Sequence, residues 1–303
     1  MKLSGVKQLL PTKPKIHNPS LPNRFTYFSQ NVIRNKSMTD QILDYFGKSH
    51  ASHIHARGKV STIKLIELLE VNGNDKILEI GFGTGATLVQ IAARSKADIF
   101  GYETSKVMFQ KALKRIRFCK MSERINITLV KKKNHFPVPD STFDRVYCES
   151  IIAIQEDDDF LNLLLEIKRV LKPNGILLFN ETIWSDSTKK SEAKKINSEC
   201  KKAFGIIQSN HEYLHVSDWK TLLKKIDFKH ELEMRVADIP QLKGKVSRFT
   251  VLSKIFTLIG KTKALTSVSM RRNWKSFQLE IDSIMKNQEK LMEGVIIKAY
   301  NNK

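Results

Sequence analysis

The sequence has few cysteines and no long apolar runs. Its three cysteines, Cys119, Cys148 and Cys200, are far apart and form no C-x-x-C pair. This pattern argues against a disulfide framework and a cysteine-built zinc site, and it favours a reducing compartment. No apolar run approaches the roughly 18 to 20 residues that a membrane-spanning helix needs. The histidines form no i, i+4 pair with a third ligand nearby, so we predict no metal centre. From the cysteines and the lack of long apolar runs we predict a cytoplasmic protein without a transmembrane segment.

Acidic residues are missing from the start of the chain, where the first one is Asp40. The segment before it is rich in Lys, Arg, Ser and Thr, which is typical of a mitochondrial transit peptide. Four prolines between positions 11 and 22 would break the amphipathic helix that such peptides form. We therefore interpret residues 1–59 as a basic N-terminal arm with lid helices.

Positive charge is the dominant feature of the composition. The 303 residues include 52 Lys and Arg against 31 Asp and Glu, for a formal net charge of +21. Such an excess favours anionic partners, namely nucleic acid, an anionic membrane surface, or phosphate- and carboxylate-bearing substrates. A generally lysine-rich surface without a specific partner would give the same composition.

Strand and helix patterns alternate between residues 60 and 182. The runs KILEIG, DIFGYE, INITLVK, DRVYCES and GILLFNET are separated by helical patterns. Parallel strands need helical crossovers, so this alternation predicts an α/β fold with a Rossmann-like doubly wound sheet. KHELEMRVADI and EGVIIKAY would complete a seven-stranded, mostly parallel sheet with an antiparallel last strand. The helix before GILLFNET should end at PNG, where Pro173 cannot continue it and Gly175 permits a left-handed turn.

A long helical excursion separates the last two predicted strands. We divide the chain into a core at 60–239, a helical substrate cap insertion at 240–293 and a final strand at 294–303. Within the insertion, apolar residues form a helical stripe with lysines around it. The stripe could be a lid over an apolar substrate, an interfacial helix on anionic lipid, or part of the core. It consists of Phe249, Leu252, Ile255, Phe256 and Ile259.

The stretch KILEIGFGTGATL, residues 76–88, places three glycines directly behind a strand. A strand, a glycine turn and a helix put bare backbone at the mouth of a sheet, beside the free N–H groups of a helix N-terminus. The pattern G-x-G-x-x-G/A alone fits a nicotinamide cofactor as well as S-adenosylmethionine. Glu103, at the end of the next predicted strand, could accept the ribose hydroxyl hydrogens of either cofactor.

Two downstream motifs decide between these cofactors. ILEIGFGTG, FPVPDSTFD and EIKRVLKPNG together resemble the class I S-adenosylmethionine-dependent methyltransferases, in particular the branch with quinone-biosynthesis and sterol methyltransferases. FPVPDSTFD is similar to the family's LPFPDNSFD signature, and EIKRVLKPNG to its lead-in to the fifth strand. The resemblance covers residues 60–182. It implies S-adenosylmethionine as cofactor and methyl transfer by in-line displacement. The quinone- and sterol-like motifs, together with the apolar stripe of the insertion, favour a small-molecule or lipid-like acceptor.

The resemblance also implies which residues hold the cofactor. The end of the first strand and the glycine turn would bind its methionine part, and the end of the second strand would bind the ribose. KKKNH departs from the acid or amide that usually precedes the proline signature, and an amide or imidazole there would contact the adenine. The implied cofactor-binding residues are Glu79, Gly81, Phe82, Gly83, Gly85, Glu103, Thr104, Asn134 and His135.

Catalytic candidates lie at strand ends and in the N-terminal region. Glu149 could act as a general base or orient the acceptor, or it could contact the cofactor's amino acid end. HIHARGKVST, which contains His55, is similar to a segment that closes over the cofactor in some family members. The predicted catalytic residues are Glu149, His55 and Tyr27, with Arg57, Gly58, Ser150, Glu181 and Trp184 as further candidates.

Two alternatives remain from the sequence. An RNA methyltransferase would use the basic surface, but the fourth strand ends in CES in place of N/D-P-P-Y/F, and no RNA-binding module is recognisable. Nucleic acid is therefore the less expected partner. A non-catalytic S-adenosylmethionine-binding protein would share the motifs without transferring a methyl group.

Overall fold

The computed structural model describes residues 38–131, 135–242, 246–286 and 289–303 of the chain. The strands are β1 (Lys76–Ile80), β2 (Asp98–Glu103), β3 (Ile125–Leu129), β4 (Phe143–Glu149), β5 (Leu171–Trp184), β6 (Phe228–Arg235) and β7 (Met292–Asn301). They form a sheet in the order β3-β2-β1-β4-β5-β7-β6. β1 to β5 run parallel, and β7 is antiparallel to both β5 and β6. The predicted doubly wound sheet is confirmed, including its antiparallel last strand.

Helices cover both faces of this sheet. They are α1 (Met38–Lys48), α2 (Lys59–Leu68), α3 (Ala86–Ala92), α4 (Lys106–Phe118), α5 (Asp157–Val170), α6 (Lys190–Phe204), α7 (Val216–Lys225), α8 (Arg248–Thr266) and α9 (Val268–Met285). β4 shows how the two faces are filled, because Val146 and Cys148 pack with α5 and α7 while Tyr147 packs with α2 to α4. Within the described ranges, no helix combines the length and the hydropathy that crossing a bilayer requires.

The turn at the start of β5 differs from the prediction in two details. α5 ends at Val170, two residues before Lys172. Lys172 precedes Pro173, and the proline ring disfavours helical dihedral angles at the residue before it. The left-handed residue is Asn174, with φ 58°, and not Gly175. Gly175 is required for space, since a Cβ there would lie 2.9 Å from the backbone oxygen of Lys172.

α8 and α9 form the helical excursion between β6 and β7. α8 lies against α3 and α4, whereas α9 packs on α1 and α6. Arg115 of α4 is fully buried and ties α8 down, because its guanidinium donates to the carbonyl oxygens of Ser253 and Thr84, each at 2.8 Å. Trp274 of α9 stacks on Tyr45 of α1 with ring centroids 5.3 Å apart.

The apolar stripe predicted on α8 has two parts. Phe249, Leu252 and Phe256 pack toward the core that α3 and α4 share with the sheet, so this part of the stripe is ordinary helix packing. Ile255 and Ile259 are exposed by 42% and 50%. A helix of this kind therefore presents apolar side chains both to the core and to solvent.

Candidate functional site

A crevice opens at the carboxyl ends of β1, β2 and β4, where ligands bind in open α/β sheets. The turn after β1, the start of α4 and the loop after β4 line it, together with residues 51–55 and Leu43 of α1. It encloses about 1080 Å³ including its open mouth. Its position matches the place where the glycine motif predicts a ligand.

The three glycines of the motif have different structural roles. Gly81 (φ 70°) leaves room for Ile151, because a Cβ at Gly81 would overlap that side chain. Gly85 (φ 75°) begins α3 and lies against Ala112 of α4. Gly83 (φ 53°) lines the crevice, and a Cβ there would meet no atom within 4 Å. Gly83 therefore presents bare backbone to a ligand.

Glu103, at the end of β2, is buried with its carboxylate at the same turn. Its Oε2 accepts a hydrogen bond from the N–H of Gly83 (3.0 Å), and its Oε1 accepts from the N–H groups of Thr104 and Ser105 (2.8 Å each). Three backbone donors thus fix the orientation of the carboxylate relative to the glycine turn. The glycine turn after β1 and the acidic residue at the end of β2 are therefore in direct contact in one site.

Glu149 and His55 form a buried ion pair that lines the crevice. His55 Nε2 lies 2.9 Å from Glu149 Oε2. The Glu149 carboxylate also accepts hydroxyl hydrogens from Thr62 (2.8 Å) and Thr87 (3.0 Å). On the other side of the imidazole, the Asn180 amide nitrogen lies 3.0 Å from His55 Nδ1. The pair therefore connects the segment before α2 with α2, α3, β4 and β5.

The ionisation of this pair follows from its geometry. Burial alone would raise the pKa of Glu149, but the adjacent His55 and His53 lower it to about 2. Burial would lower the pKa of His55, yet the Glu149 carboxylate outweighs it and raises that pKa. For His53 burial dominates, so its pKa falls to about 4. We expect an anionic Glu149, a His55 that is protonated more readily than an ordinary histidine, and a neutral His53.

Glu79 of β1 contributes a third carboxyl group to the crevice. The hydroxyl of Tyr147 donates to Glu79 Oε2 at 2.6 Å. Burial raises the pKa of Glu79 well above its usual value, against the hydrogen bond from Tyr147. We therefore expect a neutral carboxyl at the base of the glycine turn.

Residues 77–175 match the model of a methyltransferase domain family. The matched segment contains the glycine turn, Glu103 and Glu149, which are the residues that build the crevice. This part of the chain is therefore similar to a methyltransferase domain.

Curated relatives agree with this methyltransferase domain. Methyltransferase GfsG of Streptomyces halstedii is 25% identical over 169 residues, which are 55% of this chain and 58% of GfsG. A demethylmenaquinone methyltransferase of Tropheryma whipplei is 31% identical over 115 residues, 38% of this chain and 45% of that protein. The chain spans about half the length of the curated relatives it matches.

Solved structures share the fold of the whole described chain. A structure of phosphoethanolamine N-methyltransferase 2 from Haemonchus contortus, in complex with S-adenosyl-L-methionine, aligns with a TM-score of 0.64 and 16% identity. The alignment covers 92% of this chain and 61% of that chain. At this identity the likeness establishes the fold, and the site must be judged on its own residues.

The residues of the methyltransferase crevice fit S-adenosylmethionine. The sulfonium is cationic, and the crevice lining has the carboxylates of Glu103 and Glu149 and the neutral carboxyl of Glu79, but no Lys or Arg among the described residues. Gly83 keeps open a space that a Cβ would fill. The Glu103 carboxylate stands where it can accept ribose hydroxyl hydrogens. Apolar side chains suited to a purine ring are those of Met108, Val130 and Phe136.

The crevice brings most of the predicted site residues together. Gly85 is not part of its lining but packs α3 on α4, and His135 is exposed outside the lining. Tyr27 and Asn134 lie outside the described residues, and the roles assigned from the sequence stay predictions. The predicted residues that line the crevice are Glu79, Gly81, Phe82, Gly83, Glu103, Thr104, Glu149 and His55.

Several of the further candidates have structural contacts outside the crevice lining. The Arg57 guanidinium donates to the carbonyl oxygen of Val236 at 3.1 Å. Glu181 accepts from the N–H of Ile151 at 2.9 Å and so holds the loop after β4, with burial raising its pKa to about 7. Trp184 is buried and donates its indole N–H to a backbone carbonyl. Ser150, by contrast, lines the crevice.

Residues 240–293 do not line the crevice in the part of the insertion that the structure describes. α9 contacts α1, whose Leu43 is a lining residue, and α8 lies over α3 and α4. The assignment of this insertion as a substrate cap, and the other domain boundaries, stay predictions. β7 itself begins at Met292, two residues before the predicted boundary.

Sequence reasoning missed most partners of the Glu149–His55 pair. His53 lies beside it in the H-I-H stretch, and its Nδ1 is 3.1 Å from the Thr62 hydroxyl. The paired histidines were a signal for this residue. Thr62, Thr87 and Asn180 gave no local signal, because their contacts depend on how α2, α3 and β5 pack together.

Proposed function

We propose that this chain is an S-adenosylmethionine-dependent methyltransferase acting on a small-molecule or lipid-like acceptor. The observation that carries the proposal is the Glu103 carboxylate, bonded to the bare backbone at Gly83 in a crevice lined by carboxyl groups and no Lys or Arg. The names of the similar proteins support a small acceptor, since they include a demethylmenaquinone and a phosphoethanolamine methyltransferase.

The crevice supports a mechanism based on positioning. S-adenosylmethionine, when bound, supplies an electrophilic methyl group, so the chain need not provide a nucleophile. Its residues must hold the acceptor in line and exclude water, and alignment of this kind can contribute up to roughly 7 to 11 kcal/mol. The side chains of Leu43, Ile54, Ile151 and Ile154 line the crevice and favour an acceptor with an apolar body.

The ion pair favours an orienting role over a general-base role. Glu149 has a pKa of about 2 and accepts a proton poorly at neutral pH. Both ring nitrogens of His55 face protein groups, Nε2 the Glu149 carboxylate and Nδ1 the Asn180 amide. We therefore propose that Glu149 and His55 fix the shape of the crevice, and that the acceptor atom is nucleophilic without losing a proton to them.

The remaining predictions receive less support. An RNA methyltransferase and a non-catalytic cofactor-binding protein are not favoured, since all three named similar proteins are methyltransferases and the names of two of them give a small-molecule substrate. The cytoplasmic location and the contact of α8 with an anionic membrane stay predictions. The vesicle experiment described below tests the membrane contact.

Cofactor binding is the first test, by isothermal titration calorimetry with S-adenosylmethionine and S-adenosylhomocysteine. Glu103→Ala should weaken binding roughly a hundredfold, because a charged acceptor of the ribose hydroxyls is lost. Asp98→Ala is the matched control, since Asp98 is exposed at the opposite end of the same strand. Equal affinity of the two variants would contradict the assignment of Glu103.

Methyl transfer is the second test. The wild-type chain and Glu103→Ala are incubated with cofactor labelled in the methyl group and with a small-molecule extract, and labelled products are identified by mass spectrometry. Label that appears in a small molecule only with the wild-type chain is the expected result. Tight cofactor binding without any labelled product would refute the transferase proposal and leave only cofactor binding.

A further inference from the structure

A second cavity lies next to the crevice, between the start of α2, α3 and α8. It encloses about 1000 Å³ including its open mouth. Ser52, His53 and Ala86 line both cavities, so they form the boundary between them. Gly83 and Glu103 do not line the second cavity, which therefore lacks the features that fit the cofactor.

The second cavity is lined by cations. Lys59 at the start of α2, Arg94 after α3, and Lys254 and Lys261 of α8 all contribute to its lining. Among the described residues the lining includes no Asp or Glu, and none of the four cations forms an ion pair. Like charges that converge without carboxylates repel one another, so an anion in this cavity would be stabilised.

Arg94 and two serines are donor-bearing residues in the lining of the second cavity. The Nε of Arg94 is buried and has no hydrogen-bond partner in the described part of the chain. Burial lowers the pKa of this guanidinium, partly offset by Glu67. A buried unsatisfied donor on a cation is costly unless a ligand completes it. The hydroxyl groups of Ser52 and Ser253 are further lining donors.

We propose that the second cavity binds a phosphate-bearing ligand. A phosphate ester carries close to two negative charges and several acceptor oxygens. It therefore fits a cavity with four cations better than a ligand with a single carboxylate would. Leu258 lines the cavity and is 62% exposed, beside the exposed Ile255 and Ile259 of α8. These side chains offer an apolar surface for the organic part of the ligand. The site is additional to methyl transfer and does not rest on that activity.

The test uses the 303-residue chain and glycerol 3-phosphate as the probe, titrated by calorimetry at constant ionic strength. Lys254→Gln/Lys261→Gln and Arg94→Gln should each weaken binding by roughly tenfold or more. Lys275→Gln is the control, because Lys275 is an exposed lysine of the adjacent α9 outside the cavity. The proposal would be overturned if Lys275→Gln weakened binding as much as the cavity variants do. It would also be overturned if the wild-type chain bound no glycerol 3-phosphate at about 10 mM.

Titration of S-adenosylhomocysteine into the same variants separates this proposal from the proposed function. Its affinity should be unchanged in the double lysine variant, and glycerol 3-phosphate should still bind the wild-type chain when S-adenosylhomocysteine is saturating. Competition between the two ligands would overturn a separate phosphate site. If the wild-type chain does not bind S-adenosylhomocysteine but still binds glycerol 3-phosphate, only the methyltransferase proposal is contradicted.

Vesicles distinguish a soluble phosphate ester from a lipid headgroup. The chain is sedimented with phosphatidylcholine vesicles with and without phosphatidic acid. Sedimentation that requires phosphatidic acid and is lost in Lys254→Gln/Lys261→Gln supports the site with a lipid as its source. Glycerol 3-phosphate binding without sedimentation supports the site with a soluble ester. Sedimentation that persists in the double variant would contradict the proposal that the second cavity binds the lipid headgroup.

Discussion

The Glu149–His55 pair allows a sharp test of the site, because each buried charge depends on the other. Glu149→Gln keeps the shape of the side chain and an acceptor for the Thr87 hydroxyl, but it removes the charge. Burial then acts on His55 without an opposing carboxylate. We expect the pKa of His55 to change from above its ordinary value of 6.5 to below it.

The magnitude follows from the lowered pKa of Glu149. A change from 4.5 to about 2 corresponds to about 3 kcal/mol of folding free energy, at about 1.4 kcal/mol per pKa unit. This is close to the cost of about 3 to 5 kcal/mol for removing one partner of a buried ion pair. We therefore expect Glu149→Gln to lower the free energy of unfolding by about 3 kcal/mol near neutral pH.

The pH dependence has a defined sign. A lowered carboxyl pKa adds stability that is present above pH 4.5 and is lost as the pH falls toward 2. The raised pKa of His55 adds stability that is present below pH 6.5 and is lost as the pH rises through the folded value. The difference between wild type and Glu149→Gln should thus be largest between pH 4.5 and 6.5.

Two measurements check this expectation. Urea unfolding of both proteins across that pH range gives the stability difference, and NMR of ¹³C-labelled histidines gives the pKa of His55. His230 is the internal control, because its pKa is lowered by burial on β6 and by Lys220, away from Glu149. A His55 pKa that is the same in both proteins, or a stability difference independent of pH, would refute the coupling.

Three further substitutions test the fold around the site. Arg115→Lys keeps the charge but loses the guanidinium bonds to Ser253, so urea unfolding should show a loss of about 2 to 3 kcal/mol; a loss under about 0.5 kcal/mol would contradict the anchor. Helix propensity alone would make Gly260→Ala raise the free energy of unfolding by about 1 kcal/mol. Its Cβ would, however, lie 2.4 Å from the Ser49 backbone oxygen, so we expect thermal unfolding to show a net loss of about 1 to 3 kcal/mol. A net gain in stability would contradict the close packing of α8 on Ser49. Gly83→Ala should cost only about 1 to 2 kcal/mol of stability at φ 53° but weaken S-adenosylhomocysteine binding roughly tenfold by calorimetry; unchanged affinity would place the ligand elsewhere.

Local sequence was sufficient for the features that depend on neighbouring residues. The period and composition of KILEI and DIFGYE define buried strands, and the glycines between Gly81 and Gly85 allow positive φ angles that other residues rarely adopt. The position of Glu103 at the end of β2 followed from the same spacing, whereas the bond from the Gly83 N–H to its carboxylate was not predicted. The crossover rule then gave the doubly wound sheet.

Features that depend on packing between distant elements were not accessible in this way. Glu149 contacts Thr62 and Thr87, which are separated from it by 87 and 62 residues. Such contacts are set by the angles at which helices cross the sheet, and no local pattern encodes those angles. Arg115 illustrates the same limit, since a basic residue on a basic helix predicts an exposed side chain but is fully buried under α8.

The distribution of charge connects these observations with function. The net charge of +21 favoured anionic partners, yet the crevice of the methyltransferase domain has three carboxyl groups and no Lys or Arg among the described residues. Four cations instead surround the adjacent cavity that α8 helps to form. We therefore expect the basic cavity to disfavour a cationic ligand, because like charges that must be desolvated together cost free energy. α8 contributes Lys254 and Lys261 to the lining of the basic cavity because it packs on α3 and α4.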